Sequence, residues 1–219
     1  MRRLAALLPL IFLVTACGPS AEEVTGEYRA RADKKLAQVR AAVKKAADFN
    51  AEFKAPSIKD KLSFHGDGAN TALAHIEDLS EPVGKPDLDL IFQKLWYSVP
   101  VDTLKDPAGR DADSVRSSFE ALLALKYLLL VKTKYYSGPA VSADSSFLPG
   151  SWEAHVLLVD IEKAEVVGGW NVTAKNSDKV SVNTKEPDKW LHSDIWSNAR
   201  RAIAEAVKPL CAEGQSATS

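Results

Sequence analysis

The segment from Lys126 to Thr173 constrains the fold more than any other part of this chain. It opens with an unbroken apolar run, Tyr127–Val131, beyond which apolar and charged residues mix until Ser137. A short continuous apolar run is typical of a strand that is covered on both faces, and its aromatic and β-branched residues favour a strand over a helix. The sequence therefore predicts a central strand that is buried where it begins and solvated where it ends.

Two similar runs follow, Trp152–Ile161 and Glu165–Thr173, and only Glu162–Ala164 lies between them. Two strand-like runs joined by a few polar residues predict a β-hairpin. The pair Gly168–Gly169 inside the second run indicates a β-bulge or a close approach of another backbone. Lys179–Thr184 alternates valine with polar residues, so we expect a further, edge-like strand there.

The first residues have the layout of a secretory signal peptide. A basic start is followed by an apolar run, Leu4–Val14, and by two small residues before Cys17. The apolar run is too short to span a bilayer as a helix. The sequence Val14-Thr15-Ala16-Cys17 resembles the lipobox of bacterial lipoproteins, although leucine is more usual in that family at the position of Val14.

The resemblance implies that the peptide is cut before Cys17 and that this cysteine carries the lipid, palmitate included. Lipid on one terminal cysteine anchors a protein to a membrane without spanning it. In the family, an aspartate after the cysteine tends to retain the protein in the inner membrane, so Gly18 favours the outer membrane, facing the periplasm. The alternative is an ordinary secreted protein in which Cys17 occurs by chance.

Charge and cysteine content narrow the range of partners. The formal net charge of the chain is -1, and it becomes -3 without residues 1–16, because that segment contains two basic residues and no acidic one. This balance gives no support for nucleic-acid binding. If Cys17 is lipidated, Cys211 has no partner within the chain, which excludes an internal disulfide framework but leaves intermolecular pairing open.

The segment Glu22–Phe53 is rich in good helix formers and predicts a long helix that Pro56 ends. Its apolar spacing matches either a coiled-coil seam or an amphipathic helix packed on its own domain, and we prefer the second interpretation. Its basic residues, which have only Asp33 among them, are Arg29, Arg31, Lys34, Lys35, Arg40, Lys44 and Lys45. Such a face suits anionic lipid headgroups or an acidic partner, and is otherwise a solvated helix surface.

Shorter patterns complete the set of predicted elements. They are a short strand at Lys59–Phe64, a strand at Ala72–Leu79, a helix at Leu88–Val99, a helix capped by Asp113 or Ser114, a loop at Ser137–Ser151 and a last helix at Asp188–Lys208. The loop is a candidate contact surface, because long loops in compact domains are either functional or mobile. Trp190 and Trp196 flank the buried stripe of the last helix, and we expect them to pack rather than to bind.

No pattern predicts a catalytic residue, a cofactor or a metal site. The histidines lack metal-ligand spacing, and the nucleophile elbow and the Ser-x-x-Lys motif do not occur. His75 shares a strand face with Glu77, whereas His155 meets Asp67 only if the fold brings them together. Gly66-x-Gly68 has two of the three glycines of a phosphate loop, and no clear helix follows it. We expect all of these residues to serve packing or turn formation.

The predicted fold class is α+β, with a mixed, mostly antiparallel sheet, helices mainly on one face and a long N-terminal helix in front. The expected division is 1–16 as signal peptide, 17–55 as lipid anchor and long helix, 56–210 as α+β domain and 211–219 as a disordered tail. The order of elements loosely resembles small modules of envelope-assembly lipoproteins and uncharacterised envelope lipoproteins.

The leading functional interpretation is a lipid-anchored, non-catalytic lipoprotein of the cell envelope that binds a protein partner or cell-wall material. A small-molecule-binding lipoprotein is the alternative, and a periplasmic hydrolase comes third. A pocket with convergent polar groups or shifted pKa values would favour the second or third interpretation. An exposed apolar patch would favour the first.

Overall fold

The computed structural model describes residues 18–66, 68–76, 109–141, 146–181 and 187–217. This described part is α+β, with three α-helices and a mixed sheet of four strands. In chain order, the elements are α1 (Ala21–Ala47), β1 (Thr71–His75), α2 (Ala112–Ala124), β2 (Tyr127–Ser137), β3 (Ala140–Val141), β4 (Phe147–Leu148), β5 (Ser151–Asp160), β6 (Glu165–Lys175), α3 (Pro187–Val207) and a 3₁₀ helix (Lys208–Leu210).

The four-stranded sheet forms the centre of the domain. Its strand order is β1-β2-β5-β6, with β1 parallel to β2 and the other two pairs antiparallel. The predicted β5–β6 hairpin is present, and its turn at 161–164 places Ala164 at a positive φ of 50°. β3 and β4 form a separate two-stranded hairpin after β2 ends.

The burial of β2 matches the prediction for the central strand. Tyr127–Val131 is buried and 134–137 is exposed. Because successive strand residues point to opposite faces, the buried half contributes to two cores. Leu130 lies in the core on one face of the sheet, and Leu129 lies in the core on the other.

Helices cover both faces of the sheet in the described part of the chain, with two of the three helices on one face, where we expected helices mainly on one face. α1 and α2 share a core with Leu130 and Leu157, whereas α3 shares a core with Leu129 and Leu158 on the opposite face. The apolar runs of β2 and β5 explain this arrangement, because strands without polar alternation need cover on both sides. α3 supplies the second cover.

α1 belongs to the same core as the sheet. Val39, Val43 and Ala46 are buried, and they pack with residues of α2 and of the sheet. The structure thus has the amphipathic helix on its own domain that we preferred over a coiled-coil seam. The boundary expected after residue 55 runs through one hydrophobic core.

Side-chain caps set the beginning of α1 and of α2. Ser20 and Glu23 form a reciprocal capping box, in which Ser20 Oγ accepts from the Glu23 N–H at 3.2 Å. α2 is capped by Asp111, whose Oδ1 accepts from the Ser114 N–H at 2.9 Å. The prediction of Asp113 or Ser114 as the cap is therefore wrong by a few residues, because either residue could cap and the helix begins earlier.

The end of α1 also comes earlier than predicted, at Ala47 rather than near Phe53. Lys132 Nζ donates to the carbonyl oxygens of Ala47 and Phe49, at 3.1 and 3.4 Å. An ammonium group at this position stabilises the negative end of the helix dipole and satisfies carbonyls that the helix leaves free. A residue from a distant strand therefore holds the end of the helix, and Pro56 does not.

The glycine pair of β6 shows both features that its sequence indicates. The register between β5 and β6 shifts between Leu158 and Val159, opposite the pair. A Cβ at Gly168 would lie 2.6 Å from the carbonyl oxygen of Lys54, and the Gly169 N–H donates to the same oxygen at 3.0 Å. The absence of side chains lets the segment after α1 pass directly against β6.

The C-terminal segment packs on the domain through residue 217, which corrects the expectation of a disordered tail at 211–219. Gln215 Oε1 accepts from the backbone N–H groups of Phe64 and His65, at 3.0 and 3.1 Å. Ala217 is completely buried. A short polar segment therefore stays bound because its side chains satisfy backbone groups of a neighbouring extended segment.

The predicted strand at 59–64 is reduced to one isolated bridge. Leu62 and Cys211 form this parallel bridge, in which the Leu62 N–H donates to the Leu210 carbonyl oxygen at 2.8 Å. The segment is extended beside the C-terminal residues. Within the described chain it forms only this one bridge, so it is not part of a β-ladder.

Other predictions fall wholly or partly outside the described residues. These are the signal peptide with Cys17, the helix at 88–99, residues 77–79 of the strand predicted at 72–79, and 182–184 of the predicted edge strand. The described residues 179–181 are not in a strand. Within the described ranges, none of the helices has the length and apolar character that crossing a membrane requires.

Candidate functional site

The start of α1 limits how far the domain can lie from the predicted anchor. Cys17 itself is outside the described residues, and only Gly18–Ser20 separates it from the first residue of α1. Val24, in the first turns of the helix, is already buried in the core. A three-residue link spans roughly 10 Å at most, so a group attached at Cys17 would lie close to the domain.

α1 and β2 run in the same direction. Burial lowers the pKa of the Lys35 ammonium group, while the carboxylates of Glu162 and Asp160 at the β5–β6 turn act to raise it. Lys35 therefore lies near the end of the sheet at which β2 begins. Ala47, at the other end of the helix, is bound by Lys132 in the middle of β2. The first turns of α1 accordingly lie toward the end of the sheet where β2 starts.

The opposite end of the sheet carries exposed apolar side chains. Among the described residues, the large hydrophobic side chains that are exposed are Tyr135, Tyr136, Val141, Leu148 and Trp190, and we call them the apolar end. They come from the last residues of β2, from the β3–β4 hairpin and from the start of α3. Leu148 is 64% exposed and Trp190 is 47% exposed. A cluster of this kind is typical of a contact surface.

Stacked rings connect the apolar end to the core. Tyr136 and Trp196 are stacked with their centroids 5.5 Å apart, and Trp196 meets the buried Trp152 edge-on at 6.2 Å. Tyr136 also lies 6.4 Å from the ring of His192 on α3. Trp196 therefore packs as predicted, whereas Trp190 is largely exposed and packing does not account for it.

A polar cleft lies on the α1 face of the sheet, in the area that α1 leaves uncovered. Its volume is about 400 Å³, and its lining residues are Asn50, Ala51, Glu52, Phe53, Lys134, His155 and Asn171. We call it the His155 cleft. His155 and Asn171 are opposite each other on β5 and β6. The Phe53 ring packs edge-on against the His155 ring, with centroids 5.0 Å apart.

The electrostatics of the cleft are set by burial and by two lysines. Partial burial lowers the pKa of the His155 imidazole, and the cations Lys134 and Lys132 lower it further. The imidazole is therefore neutral at neutral pH. Among the described residues, no hydrogen bond or ion pair engages the side chains of His155, Lys134 or Asn171.

The other histidines are dispersed over the surface of the fold. His65 Nε2 lies 3.2 Å from the Ser216 carbonyl oxygen, and His192 Nδ1 lies 2.8 Å from the Asp188 carbonyl oxygen. His75 meets the Trp196 ring edge-on at 6.4 Å. The candidate neighbours of His75 and His155, at positions 77 and 67, are outside the described residues. In the ranges that the structure describes, no group of three or more His, Cys, Asp or Glu residues is arranged to hold a metal ion.

The glycine pair at 66 and 68 forms a turn, as the sequence indicates. Gly66 and Gly68 have φ values of 74° and 91°, a region that favours glycine. β1 follows this turn, and a phosphate loop would instead need the N-terminus of a helix there. The structure therefore gives the phosphate-loop interpretation no support.

Cys211 is a half-buried thiol near the end of α3. Burial raises the pKa of the thiol, and Lys61 opposes this only in part. Its Sγ lies 3.4 Å from the Val207 carbonyl oxygen. A thiol with a raised pKa is a weak nucleophile, so the local environment gives it no activation.

A buried polar network at the apolar end went unnoticed in the sequence. The Asn176 side chain accepts from the Gly150 N–H at 2.8 Å and donates to the Leu191 carbonyl oxygen at 2.7 Å. Its Nδ2 also donates to Asp194 Oδ2 at 3.0 Å, and the Ser177 N–H donates to the same oxygen at 2.7 Å. The network ties the end of β6 to α3 and to the start of β5. Only the mild turn signal of Asn-Ser-Asp at 176–178 marked it in the sequence.

Asp194 is ionised more readily than an ordinary aspartate. Burial acts to raise the pKa of its carboxyl group, but hydrogen bonds from the Ser177 N–H, the Asn176 amide and the Ser177 hydroxyl lower it by more, with Arg201 adding a small effect. The buried and fully bonded geometry identifies the network as structural, because its donors and acceptors are already engaged with one another.

The chain was also compared with known proteins. A scan against protein families found no match, and searches among curated proteins and solved structures found no significant match.

Proposed function

We propose that this protein is a lipid-anchored, non-catalytic lipoprotein of the bacterial cell envelope, held by lipid on Cys17 and binding a protein partner through its apolar end. Its location is the outer membrane, facing the periplasm. The observation that carries the proposal is that the exposed large apolar side chains of the described chain lie at one end of the sheet, away from the first turns of α1.

The polarity of the fold supports this arrangement. Lipid at Cys17 would hold the start of α1 within roughly 10 Å of the bilayer surface, because Gly18–Ser20 is the only link and α1 is packed on the sheet. The end of the sheet where β2 finishes would then point into the aqueous compartment. Exposed Tyr and Trp side chains provide large contact area at low entropic cost, which suits recognition of a protein.

The anchor is tested by replacing Cys17 with serine in the full chain. We expect incorporation of labelled palmitate to be abolished and signal-peptide processing to be blocked or diverted. Cys211→Ser is the matched control, because it removes the other cysteine and should leave labelling unchanged. Labelled palmitate that persists in the Cys17→Ser variant would contradict lipidation at this residue.

The binding surface is tested by site-specific photo-cross-linking in cells that make the full chain. A photoreactive residue at Leu148 or at Trp190 should give the same cross-linked species, whereas Glu205, exposed on the last turns of α3, should not. A product that muramidase digestion shortens would identify cell-wall material in place of a protein. Equal cross-linking from all three positions, or none from any, would refute binding through the apolar end.

The second candidate function is a small-molecule-binding lipoprotein. The specific observation in its favour is the His155 cleft, with its volume of about 400 Å³ and its unpaired polar side chains. Ligand sites in proteins have volumes of roughly 300–1,000 Å³ and contain a few convergent polar groups. The two candidate functions use separate side chains, so a result for one does not decide the other.

A further inference from the structure

We propose that the His155 cleft binds a small anion through a carboxylate or phosphate group, with Lys134 as its charged contact and the His155 imidazole and the Asn171 amide as hydrogen-bond donors. This inference rests on the second candidate function, small-molecule binding, and makes no use of the apolar end. It identifies a ligand class from the chemistry of the lining residues.

The cleft exists because of how α1 ends. Lys132 binds the last carbonyls of α1, and the chain then crosses the sheet at 50–53. Among the helices that the structure describes, none covers the sheet surface beyond this crossing. Phe53 closes one side of the cleft and holds the His155 ring edge-on, at a centroid distance of 5.0 Å. The floor is therefore preformed, and a ligand would not need to order it.

The strands bring the polar groups to one place. His155 is opposite Asn171 on β6 and opposite Lys132 on β2. The register between β2 and β5 shifts between Thr133 and Tyr135, which leaves Lys134 at a bulge and outside the regular pairing. Bulges commonly redirect a side chain in this way. Lys134, His155 and Asn171 all line the same cleft as a result.

The state of these side chains distinguishes the cleft from the polar network that follows β6. In that network, Asn176 and Asp194 satisfy each other and the neighbouring backbone. In the cleft, the described residues provide no hydrogen-bond partner for Lys134, His155 or Asn171. His155 is half-buried, and Lys134 and Asn171 are exposed, so all three side chains are accessible to a ligand that could bond to them.

The charges favour an anion over a cation. The groups that act on His155 through their charge are both cations, Lys134 and Lys132. Glu52 lines the cleft and Glu153 precedes His155 on the same strand face, so both carboxylates are near, yet neither offsets the lysines at the ring. A carboxylate or phosphate group beside Lys134 would stabilise protonated His155.

The test follows the histidine signals of the mature lipidated protein in detergent by NMR, with isotope-labelled histidine. Sodium succinate and inorganic phosphate are the two probes, and sodium chloride at equal ionic strength is the reference. We expect the pKa of His155 to rise by about one pH unit when either anion binds. His192, half-buried on α3, does not line the cleft, reports in the same spectra and should not respond.

Two variants make the test specific. Lys134→Gln should lower the affinity for whichever probe binds by about tenfold or more, as expected when one charge-assisted hydrogen bond is lost. Lys175→Gln, at an exposed lysine that ends β6, is the matched control and should change nothing. Unchanged His192 signals in both variants show that the fold is intact.

A response to succinate alone would identify the ligand group as a carboxylate, and a response to phosphate alone would identify it as a phosphate. Both outcomes support an anion site. A His155 shift that chloride reproduces, or that Lys134→Gln leaves intact, would overturn the proposal. The cross-linking pattern at the apolar end is independent of either result, so failure of this inference and failure of the leading function are distinguishable.

Discussion

The two ends of the sheet are built from the same strands and have opposite characters. At the end where β2 begins, Leu128–Leu130 is buried between α1 with α2 on one face and α3 on the other. At the end where β2 finishes, 134–137 is exposed and polar or aromatic. The first end resembles a three-layer core, and the second presents the apolar end and the His155 cleft.

The comparison of the two ends indicates that the extent of helix cover decides which part of a strand is available for binding. β2 runs through both ends, and after Val131 its residues change from apolar to charged and aromatic. The boundary lies where α1 stops, at Ala47, held by Lys132. A helix extended by two turns would cover the area that the His155 cleft occupies. The exposed half of the strand therefore coincides with the end of the α1 cover and with the charged residues that follow Val131.

The largest effect that tests the comparison is a truncation in the buried half of β2. Leu129→Ala should lower the free energy of unfolding by about 2–5 kcal/mol, because it leaves a cavity in the core under α3. Tyr135→Ala, on the exposed half of the same strand, should change it by no more than about 0.5 kcal/mol. Chemical denaturation of both variants measures the contrast. Equal losses would show that the two halves of β2 are not packed differently.

A second, smaller effect concerns the segment that crosses the sheet after α1. Gly168→Ala should destabilise the domain by about 1–3 kcal/mol, because its Cβ would lie 2.6 Å from the Lys54 carbonyl oxygen. Gly26→Ala is the control, since nothing lies within 4 Å of its Cβ position on α1, and it should stabilise by about 0.5–1 kcal/mol. Thermal unfolding compares them. A neutral Gly168→Ala would mean that the crossing segment is not held against β6.

A third effect probes the polar network at the apolar end. Asn176→Ala should cost about 1–3 kcal/mol, because it leaves the Gly150 N–H and the Leu191 carbonyl without a partner. The folded-state pKa of Asp194 lies below its ordinary value. Its contribution to stability is therefore complete above the ordinary pKa and is lost as the pH falls through the lowered one.

The same network gives a pH signature. The stability difference between the natural chain and Asp194→Asn should be largest near neutral pH and should shrink as the medium becomes acidic. Asp188→Asn, on an exposed residue of the same helix, is the control and should give no such trend. Urea titrations over a series of pH values measure it. A difference that grows on acidification would contradict the role assigned to the Asp194 carboxylate.

The smallest effect is on the basic face of α1, which flanks the buried end. Lys34, Lys44 and Lys45 are exposed, whereas Lys35 is half-buried near Asp160 and Glu162. If this face orients the domain on an anionic surface, each exposed lysine should contribute about 1 kcal/mol to the binding of the non-lipidated chain to anionic vesicles. The binding should be tighter at low salt than at physiological salt, because salt screens these charges.

Changing the three exposed lysines to glutamine should abolish this binding, and Lys35→Gln alone should change it little, because Lys35 is engaged with the β5–β6 turn. Neutral vesicles are the reference. No binding to anionic vesicles at either salt concentration would leave an acidic partner or a plain solvated surface, and a pull-down with both chains separates those two.

The accuracy of sequence reasoning differed from one element to the next for physical reasons. β2, the β5–β6 hairpin and α3 carry strong periodic signals, and their bounds agree closely with the predictions. The end of α1 did not, because Lys132 holds it from a distant strand. The prediction of a disordered tail was wrong at 211–217 for a similar reason. A hydrogen-bond partner of Gln215 is Phe64, which lies far away in the chain.

The same division applies to the candidate sites. The lipobox at Val14–Cys17 is a local motif and can be recognised without a fold, and it stays a prediction that lipid labelling tests. The His155 cleft has no local motif, because its residues come from three strands and from the segment after α1. The sequence suggested only that His155 packs, and it named neither Lys134 nor Asn171 as its neighbours.

Local sequence patterns specify much of the secondary structure of this protein. They specify the buried run of β2, the hairpin that follows, the glycine pair of β6 and the amphipathic stripes of α1 and α3. These depend on periodicity and on backbone freedom, which neighbouring residues specify. Only the tertiary structure decided that helices cover both faces, that α1 stops at Ala47, and that unpaired polar groups meet beside His155. Those features depend on contacts between residues far apart in the chain, which no local pattern encodes.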